Sequence, residues 1–222
     1  MLRSKIIKRG FDICASAVAL IIFSPVIAVV AVMVLATMGR PIFFRQIRPG
    51  LRGKPFEILK FRSMKNATDA SGKPLSDAQR LTKFGDIMRS YSLDELPQLI
   101  NILKGDMSVV GPRPLLYDFF PYYTVREMRR HEVKPGVTGP AQINGRNNLN
   151  WDDRLGMDVD YVDNWSLWLD IKIIIKTVMV VLKRDGVKTD GYATFLRFDD
   201  YRKEKKIDEN AEGLQIKKRY SS

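Results

Sequence analysis

Two adjacent carboxylates, Asp94 and Glu95, are the residues of this sequence best suited to chemistry. They lie in the stretch SLDELP at positions 92–97. Ser92 and Glu95 have the spacing of a capping box, which predicts a helix beginning there, whereas Pro97 favours a later start. Either way the carboxylates lie at or just before a helix N-terminus, where exposed amides attract anions. Two carboxylates beside a phosphate require a cation, usually Mg²⁺, and the simpler alternative is that both acids only cap the helix.

Arginines near rigid turns supply candidate phosphate ligands. Arg113 stands between Pro112 and Pro114, which restrict its backbone. A guanidinium held in this way can bind two phosphate oxygens at once. Further candidates are Arg62, Arg89 and Arg146, although each of these taken singly is more often a solvated surface charge.

A long apolar segment near the N-terminus must help to position these residues. Residues 13–38 carry no charge, and as a helix they would reach about 39 Å, more than the ~30 Å of a bilayer's hydrocarbon core. A single spanning helix would explain this length. However, basic residues flank the segment on both sides, which favours both flanks in the cytoplasm. Ser24-Pro25 predicts a break near the middle, with Ser24 donating to a carbonyl that the proline leaves unpaired. We therefore expect a re-entrant, helix-break-helix membrane anchor over residues 1–39.

The charge of the chain is concentrated beside this apolar segment. The net charge is +12, and residues 1–65 hold twelve Lys and Arg against two acids. Residues 66–196 hold seventeen of each sign. This distribution indicates an anionic lipid surface, and the balanced remainder argues against nucleic acid.

Cysteine and histidine are too rare in this sequence to form disulfides or metal sites that need several of them. Cys14 and His131 are the only residues of their types, which excludes an internal disulfide, a cysteine zinc cluster and a multi-histidine metal site. Asp12, at the edge of the apolar segment, is expected to pair with Lys8 or Arg9.

The remaining pattern predicts an α+β fold, dominated by helices, with a small antiparallel sheet. Two short strands with a Pro/Gly turn between them are predicted at 41–47 and 55–62. Apolar periodicity predicts a helix ending before Ser92, another through Leu96 to Leu103, and further helices at 118–132 and 152–163.

The segment 165–182 is apolar but contains Asp170, Lys172 and Lys176. Because such charges make a membrane span costly, an amphipathic helix in the interface or an ordinary core helix fits better. We expect a catalytic domain at the cytosolic face over residues 40–200, followed by a charged tail over 201–222 that is mobile or binds a partner.

Taken together, the motifs resemble those of the bacterial sugar transferases, the monotopic phosphoglycosyl transferases that begin glycoconjugate assembly. The resemblance runs from Lys8 to about Thr177 and includes the blocks KRGFD, FRQIRPG, KFRSM, RSYSLDELPQLINIL, GDMSVVGPRP and KPGVTGPAQINGR. Each block alone is modest evidence, whereas all of them in order are highly specific.

This resemblance implies a ping-pong transfer of sugar-1-phosphate from a UDP-sugar to polyprenyl (undecaprenyl) phosphate, with UMP released. Asp94 is implied as the nucleophile that forms a covalent phosphosugar, and Glu95 as a metal ligand, with Mg²⁺ held by the two acids. The residues implied to bind the substrates are Arg113, Arg62, Arg89, Arg146, Gln142 and Lys60. The resemblance also implies a re-entrant helix broken at Ser24 and Pro25, and a minimal catalytic form of the family.

The expected location is the bacterial inner membrane, with the active site and both termini on the cytoplasmic face. The expected donor is a UDP-linked N-acetylated amino sugar, with UDP-galactose or UDP-glucose as the alternative. Expected partners are the two substrates, membrane lipids and downstream glycosyltransferases, with the oligomeric state left open. The rival hypothesis from another functional class is a non-catalytic membrane adaptor.

Overall fold

The computed structural model describes residues 2–145, 149–183 and 196–205. The α-helices are α1 (Leu2–Met38), α2 (Asp77–Arg80), α3 (Lys83–Ser90), α4 (Gln98–Lys104), α5 (Val125–Met128), α6 (Pro140–Ile143), α7 (Trp151–Asp163), α8 (Leu167–Lys183) and α9 (Phe198–Glu204). The strands are β1 (Phe43–Pro49), β2 (Pro55–Phe61), β3 (Ser108–Val110) and β4 (Gly136–Thr138). Short 3-10 helices span Leu51–Gly53, Leu93–Glu95, Tyr117–Tyr122 and Arg129–Glu132.

Helix α1 is continuous, so the predicted interruption at Ser24-Pro25 is absent. Pro25 has no amide hydrogen to donate to the carbonyl of Ile21, four residues earlier. The hydroxyl of Ser24 donates to that same carbonyl at 2.8 Å. The predicted role of Ser24 is therefore confirmed, and this local compensation lets the helix pass through the proline.

Both ends of α1 are attached to the same folded domain. Near the start, Arg9 donates to the carbonyls of Ile102 and Leu103 at 2.6 and 2.9 Å. Near the end, Val30 and Val34 are buried in one cluster with residues of β2 and α3. Between these attachments the helix exposes large apolar side chains such as Ile21, Ile22 and Phe23.

Asp12 and Lys8 find partners far away in sequence, so the predicted local pairing of Asp12 is wrong. Asp12 is buried and accepts hydrogen bonds from the Ser108 hydroxyl and the Val109 amide, at 2.9 and 3.0 Å. Lys8 instead forms a 2.6 Å ion pair with Asp170 at the start of α8.

The predicted antiparallel pair is confirmed, and a second, parallel pair accompanies it. Strands β1 and β2 pair from Phe43 with Phe61 to Pro49 with Pro55. Strands β3 and β4 run parallel. At Gly136 an added Cβ would lie 2.1 Å from the amide nitrogen of Gly111, so a glycine is needed where these two backbones approach.

One predicted helix is corrected by the structure, and another helix crosses a predicted boundary. The helix predicted at 118–132 is divided into Tyr117–Tyr122, α5 and Arg129–Glu132, because Thr124 caps a new start with its side chain. The charged tail predicted from Tyr201 begins inside α9, whose Arg202 is buried against Glu127. Helix α9 thus crosses the domain boundary that the sequence predicts at residue 200, and the extents of the domain and the tail stay predictions.

Helix α8 exposes an apolar face, which argues against the core-helix alternative for 165–182. Asp170 and Ile173 are its buried residues. The exposed side chains include Trp168, Ile171, Ile175, Val178 and Leu182. Among the described residues α1 is the one helix long and apolar enough to cross a membrane, and the exposed apolar face of α8 fits an interfacial helix.

Candidate active site

Asp94 and Glu95 lie in the 3-10 turn Leu93–Glu95 that connects α3 to α4. Ser92 adopts a left-handed conformation, with φ of 57°, and its side chain forms no cap bond. The predicted capping box is therefore absent, and α4 begins only at Gln98, after Pro97. The prediction that the two acids lie just before a helix N-terminus is confirmed.

The carboxylate of Glu95 is surrounded by cations. Its Oε1 accepts from Lys60 Nζ and from Arg113 Nη2, each at 2.6 Å. Burial alone would raise the pKa of Glu95, but the charges of Arg113 and Lys60 outweigh burial and hold it well below its ordinary value. The same contact with Glu95 raises the pKa of Arg113. Glu95 is therefore a permanent anion that fixes two cations at the site.

Asp94 lies in the opposite electrostatic situation. It is 8% exposed, and within the described part of the chain its carboxylate forms no ion pair within 4.0 Å. Burial, followed by the charge of Glu95, raises the pKa of Asp94 to about 6. Its oxygens are thus not committed to a protein cation, and the carboxylate is still mostly ionised at neutral pH.

Arg89 is held beside these acids by a tight contact between α3 and the end of β2. Its Nε donates to the Ser63 hydroxyl at 2.9 Å. Gly85, one turn earlier, approaches Ser63 so closely that an added Cβ would lie 1.9 Å from the Ser63 carbonyl oxygen. The charge of Arg89 lowers the pKa of Asp94, as do Lys60 and Arg113, so three predicted residues act on this carboxylate.

The other predicted substrate ligands are placed differently. The Arg62 guanidinium donates to the carbonyls of Met38, Gly39 and Arg40, so it caps the end of α1. The side-chain amide of Gln142 is buried, and neither of its polar atoms has a partner within the described ranges of the chain. Arg146 lies outside the described residues.

Asp94 and Glu95 could supply some, but not all, of the ligands that a Mg²⁺ ion requires. The described residues contain no group of three or more His, Cys, Asp or Glu side chains that could hold a metal. Mg²⁺, however, is commonly bound by one or two carboxylates together with substrate phosphates and water. The carboxylate of Asp94, which forms no ion pair in the described part of the chain, is suited to this kind of Mg²⁺ binding. Glu95 is less suited, because its Oε1 already bonds Lys60 and Arg113.

The chain is similar in sequence to a known protein family and to several known proteins. The model of the bacterial sugar transferase family matches residues 3–184. The uncharacterized sugar transferase EpsL of Bacillus subtilis is 51% identical over 87% of this chain and 96% of its own length.

Two further relatives have names that state a substrate. A UDP-glucose:undecaprenyl-phosphate glucose-1-phosphate transferase of Caulobacter vibrioides is 40% identical over 81% of this chain and 71% of its own length. An undecaprenyl-phosphate galactose phosphotransferase of Salmonella typhimurium is 42% identical over 82% of this chain. The match spans 42% of that longer relative.

Proposed function

We propose that this chain, which belongs to the bacterial sugar transferase family, moves a hexose-1-phosphate from a UDP-sugar to a polyprenyl phosphate and releases UMP. The observation that carries this proposal is the contrast between the two acids. Glu95 forms ion pairs with Lys60 and Arg113, whereas the adjacent Asp94 is buried and forms no ion pair among the described residues. A non-catalytic membrane adaptor has no need of this arrangement.

The first half-reaction uses Asp94 as the nucleophile. One carboxylate oxygen attacks the β-phosphorus of the UDP-sugar, and the bond from that phosphorus to the bridging oxygen breaks. UMP leaves with the electron pair, and the phosphosugar remains on Asp94. No general base is required, because the attacking group is already an anion.

The second half-reaction regenerates the carboxylate. A phosphate oxygen of the polyprenyl phosphate attacks the same phosphorus, the bond to Asp94 breaks, and a polyprenyl diphosphate sugar is formed. A single site can therefore receive a soluble substrate and a lipid substrate in turn.

The surrounding side chains position and neutralise the phosphoryl group, which is most of what such a transfer requires. Glu95 fixes Arg113 and Lys60. The charges of these two residues, like that of Arg89, act on the carboxylate of Asp94. Mg²⁺ held by Asp94, with a minor share from Glu95, would neutralise phosphate charge when bound. Glu95 thus acts chiefly by holding two cations in place.

The names of the relatives favour UDP-glucose or UDP-galactose as the donor. The N-acetylated amino sugar expected from the resemblance has no such support. We therefore propose a UDP-hexose, rather than a UDP-linked N-acetylated amino sugar, as the donor.

The attachment of both ends of α1 supports a re-entrant topology. Val34 lies 25 positions after Arg9, which is about 37 Å of straight helix. A helix passing straight through the ~30 Å hydrocarbon core would place these two residues on opposite sides. Both contact one domain, so we propose that α1 stays helical through Pro25 but bends there, and that it enters and leaves the same leaflet, with the basic flanks and the active site at the cytoplasmic face.

UMP release tests the proposed function. Purified protein in detergent with polyprenyl phosphate and Mg²⁺ is given a panel of UDP-sugars, and we expect the largest UMP release with UDP-glucose or UDP-galactose. Asp94→Asn abolishes release, whereas Asp77→Asn, at an exposed acid of α2, leaves it intact. Turnover of none of the panel, or full activity of Asp94→Asn, would refute the proposal.

A further inference from the structure

Arg48 and Arg154 lie close to Arg113, and neither has a part in the chemistry described so far. Arg48 stands near the end of β1, where its Nη1 donates to the carbonyl of Pro114 at 3.4 Å. Arg154 lies on α7 with its guanidinium 4.7 Å from the centre of the Trp151 ring. These two side chains, with Arg113 and Arg130, are called the arginine cluster below.

Two acids beside the arginine cluster already bond cations, although Oδ1 of Asp158 has no hydrogen-bond partner among the described residues. Glu95 is bound to Arg113 and Lys60. Asp158, one turn after Arg154, accepts two hydrogen bonds from Arg130, at 2.6 and 3.1 Å. Among the described residues, positive charge therefore exceeds negative charge at this place.

Arg48 in particular is poorly compensated. Its Nη2 donates to the neutral side chain of Gln46 at 2.6 Å, and its Nε is buried and has no partner among the residues that the structure describes. In the described part of the chain it forms no ion pair, although Asp118 acts on it weakly from a distance. A buried N–H without an acceptor is costly, so this guanidinium is suited to donate to a ligand oxygen as its partner.

The electrostatics of the arginine cluster point the same way. Burial, followed by the charge of Arg113, lowers the pKa of Arg48 to about 10 and also lowers the pKa of Arg154. His131 cannot change this balance, because burial lowers its pKa to about 3 and keeps it neutral. Nearby cations that water does not fully screen form a site for an anion.

We propose that Arg48 and Arg154 bind the phosphate of the leaving nucleotide, beside the phosphorus that Asp94 attacks. This inference rests on the proposed function and adds two nucleotide-binding residues to it. As the bridging bond breaks, negative charge develops on the oxygen that leaves with UMP. Two guanidiniums at that place stabilise this charge and hold UMP after transfer.

The position of the two arginines favours the nucleotide over the lipid phosphate. The far end of α7 lies near the start of α1, because Tyr161 and Lys8 both bond Asp170, at 2.7 and 2.6 Å. Arg154 is seven residues, or about 10 Å, back along α7 from Tyr161. Similarly, Arg48 lies five residues, or about 17 Å, along β1 from Phe43. Phe43 pairs with Phe61, which belongs to the buried cluster at the end of α1. Both arginines therefore lie at a distance from the elements that hold the membrane helix.

The test compares Arg48→Gln and Arg154→Gln with Arg45→Gln, a matched control on the same strand. The Arg45 side chain is 62% exposed and faces Glu57 at 3.6 Å. We measure the inhibition constant of UMP, the KM for the UDP-sugar and the KM for a polyprenyl phosphate. Loss of one charge-assisted hydrogen bond predicts an inhibition constant about 10-fold to 100-fold higher in each test variant, with the polyprenyl phosphate KM within about twofold of wild type.

A binding measurement separates this site from a folding defect. The shift in the unfolding temperature on adding UMP is measured for each variant, and we expect it to shrink in Arg48→Gln and Arg154→Gln but not in Arg45→Gln. Conservative Arg48→Lys should restore part of the shift. Unchanged UMP inhibition, or a rise confined to the polyprenyl phosphate KM, overturns the inference. If wild-type protein releases no UMP, the proposed function itself fails.

Discussion

Neutralising two adjacent acids should change the stability of this protein in opposite directions. In Asp94→Asn the buried, uncompensated charge is removed. The difference between the ordinary Asp pKa of 3.8 and a folded-state pKa of about 6 corresponds to about 3 kcal/mol of destabilisation at neutral pH. Because Glu95 shares that effect and a variant amide forms its own contacts, we expect a gain of about 1–3 kcal/mol.

Glu95→Gln should have the reverse effect. It leaves Lys60 and Arg113 without their shared carboxylate, and breaking a buried pair costs about 3–5 kcal/mol. The Arg113 side chain is 42% exposed, so we expect a smaller loss of about 2 kcal/mol. For a chain of this size each kcal/mol corresponds to roughly 2–4 °C in the unfolding temperature.

The assay is thermal unfolding in detergent with a metal chelator, at several pH values. A carboxyl with a raised folded-state pKa destabilises the fold above that pKa, and the effect fades as pH falls toward the unfolded value. The advantage of Asp94→Asn should therefore be full above about pH 6.5 and small at pH 4. Added Mg²⁺ should raise the unfolding temperature of wild type more than that of Asp94→Asn. Destabilisation by Asp94→Asn at pH 7.5, or an advantage that grows as pH falls, would refute this electrostatic description.

Three further outcomes are expected. The rate of UMP release at low UDP-sugar and a fixed concentration of Mg²⁺ should rise with pH, because the ionised form of Asp94 is the nucleophile and its pKa is raised to about 6. A profile flat between pH 5 and 7 would contradict this. Gly85→Ala should lower UMP release at least tenfold by displacing Ser63 and Arg89. The control Gly156→Ala, whose new methyl group has no described atom within 4 Å, should keep its activity and raise the unfolding temperature slightly, since alanine favours a helix. Equal UMP release by the two variants would count against the Gly85 contact. Arg62→Gln should lower the unfolding temperature without changing the KM for the UDP-sugar, and a selective KM increase would instead return Arg62 to the substrate site.

Local patterns predicted the parts of the structure that depend on local interactions. The pair β1–β2 followed from a Pro/Gly turn between apolar runs, and Gly105 ends α4 with φ of 97°. The placement of Asp94 and Glu95 before a helix, and the bond from Ser24 to a freed carbonyl, were also predictable. Each of these depends on residues a few positions apart.

Long-range partners could not be predicted in this way. The bonds from Asp12 to Ser108 and from Lys8 to Asp170 join residues about 100 and 160 positions apart. Strands β3 and β4 have three residues each, too few for an alternating pattern. Arg62 carried the charge expected of a phosphate ligand, and only its contacts with α1 indicate a structural role.

Arg48 and Arg154 were also missed, because an isolated arginine in a sequence is most often a solvated charge. The signal that identifies them is three-dimensional, namely their shared proximity to Arg113. A sequence-based search could have noticed that Arg48 precedes a rigid Pro-Gly turn, as Arg113 lies between prolines.

The most direct test of the central claim is the mass of the protein after brief exposure to its donor. Protein with Mg²⁺ and a UDP-hexose, but without polyprenyl phosphate, is quenched and analysed intact and after proteolysis. We predict a mass increase of one hexose phosphate on the peptide that contains Asp94, its absence in Asp94→Asn, and its loss when polyprenyl phosphate is added. UMP release without any adduct, or an adduct on another residue, would contradict the account.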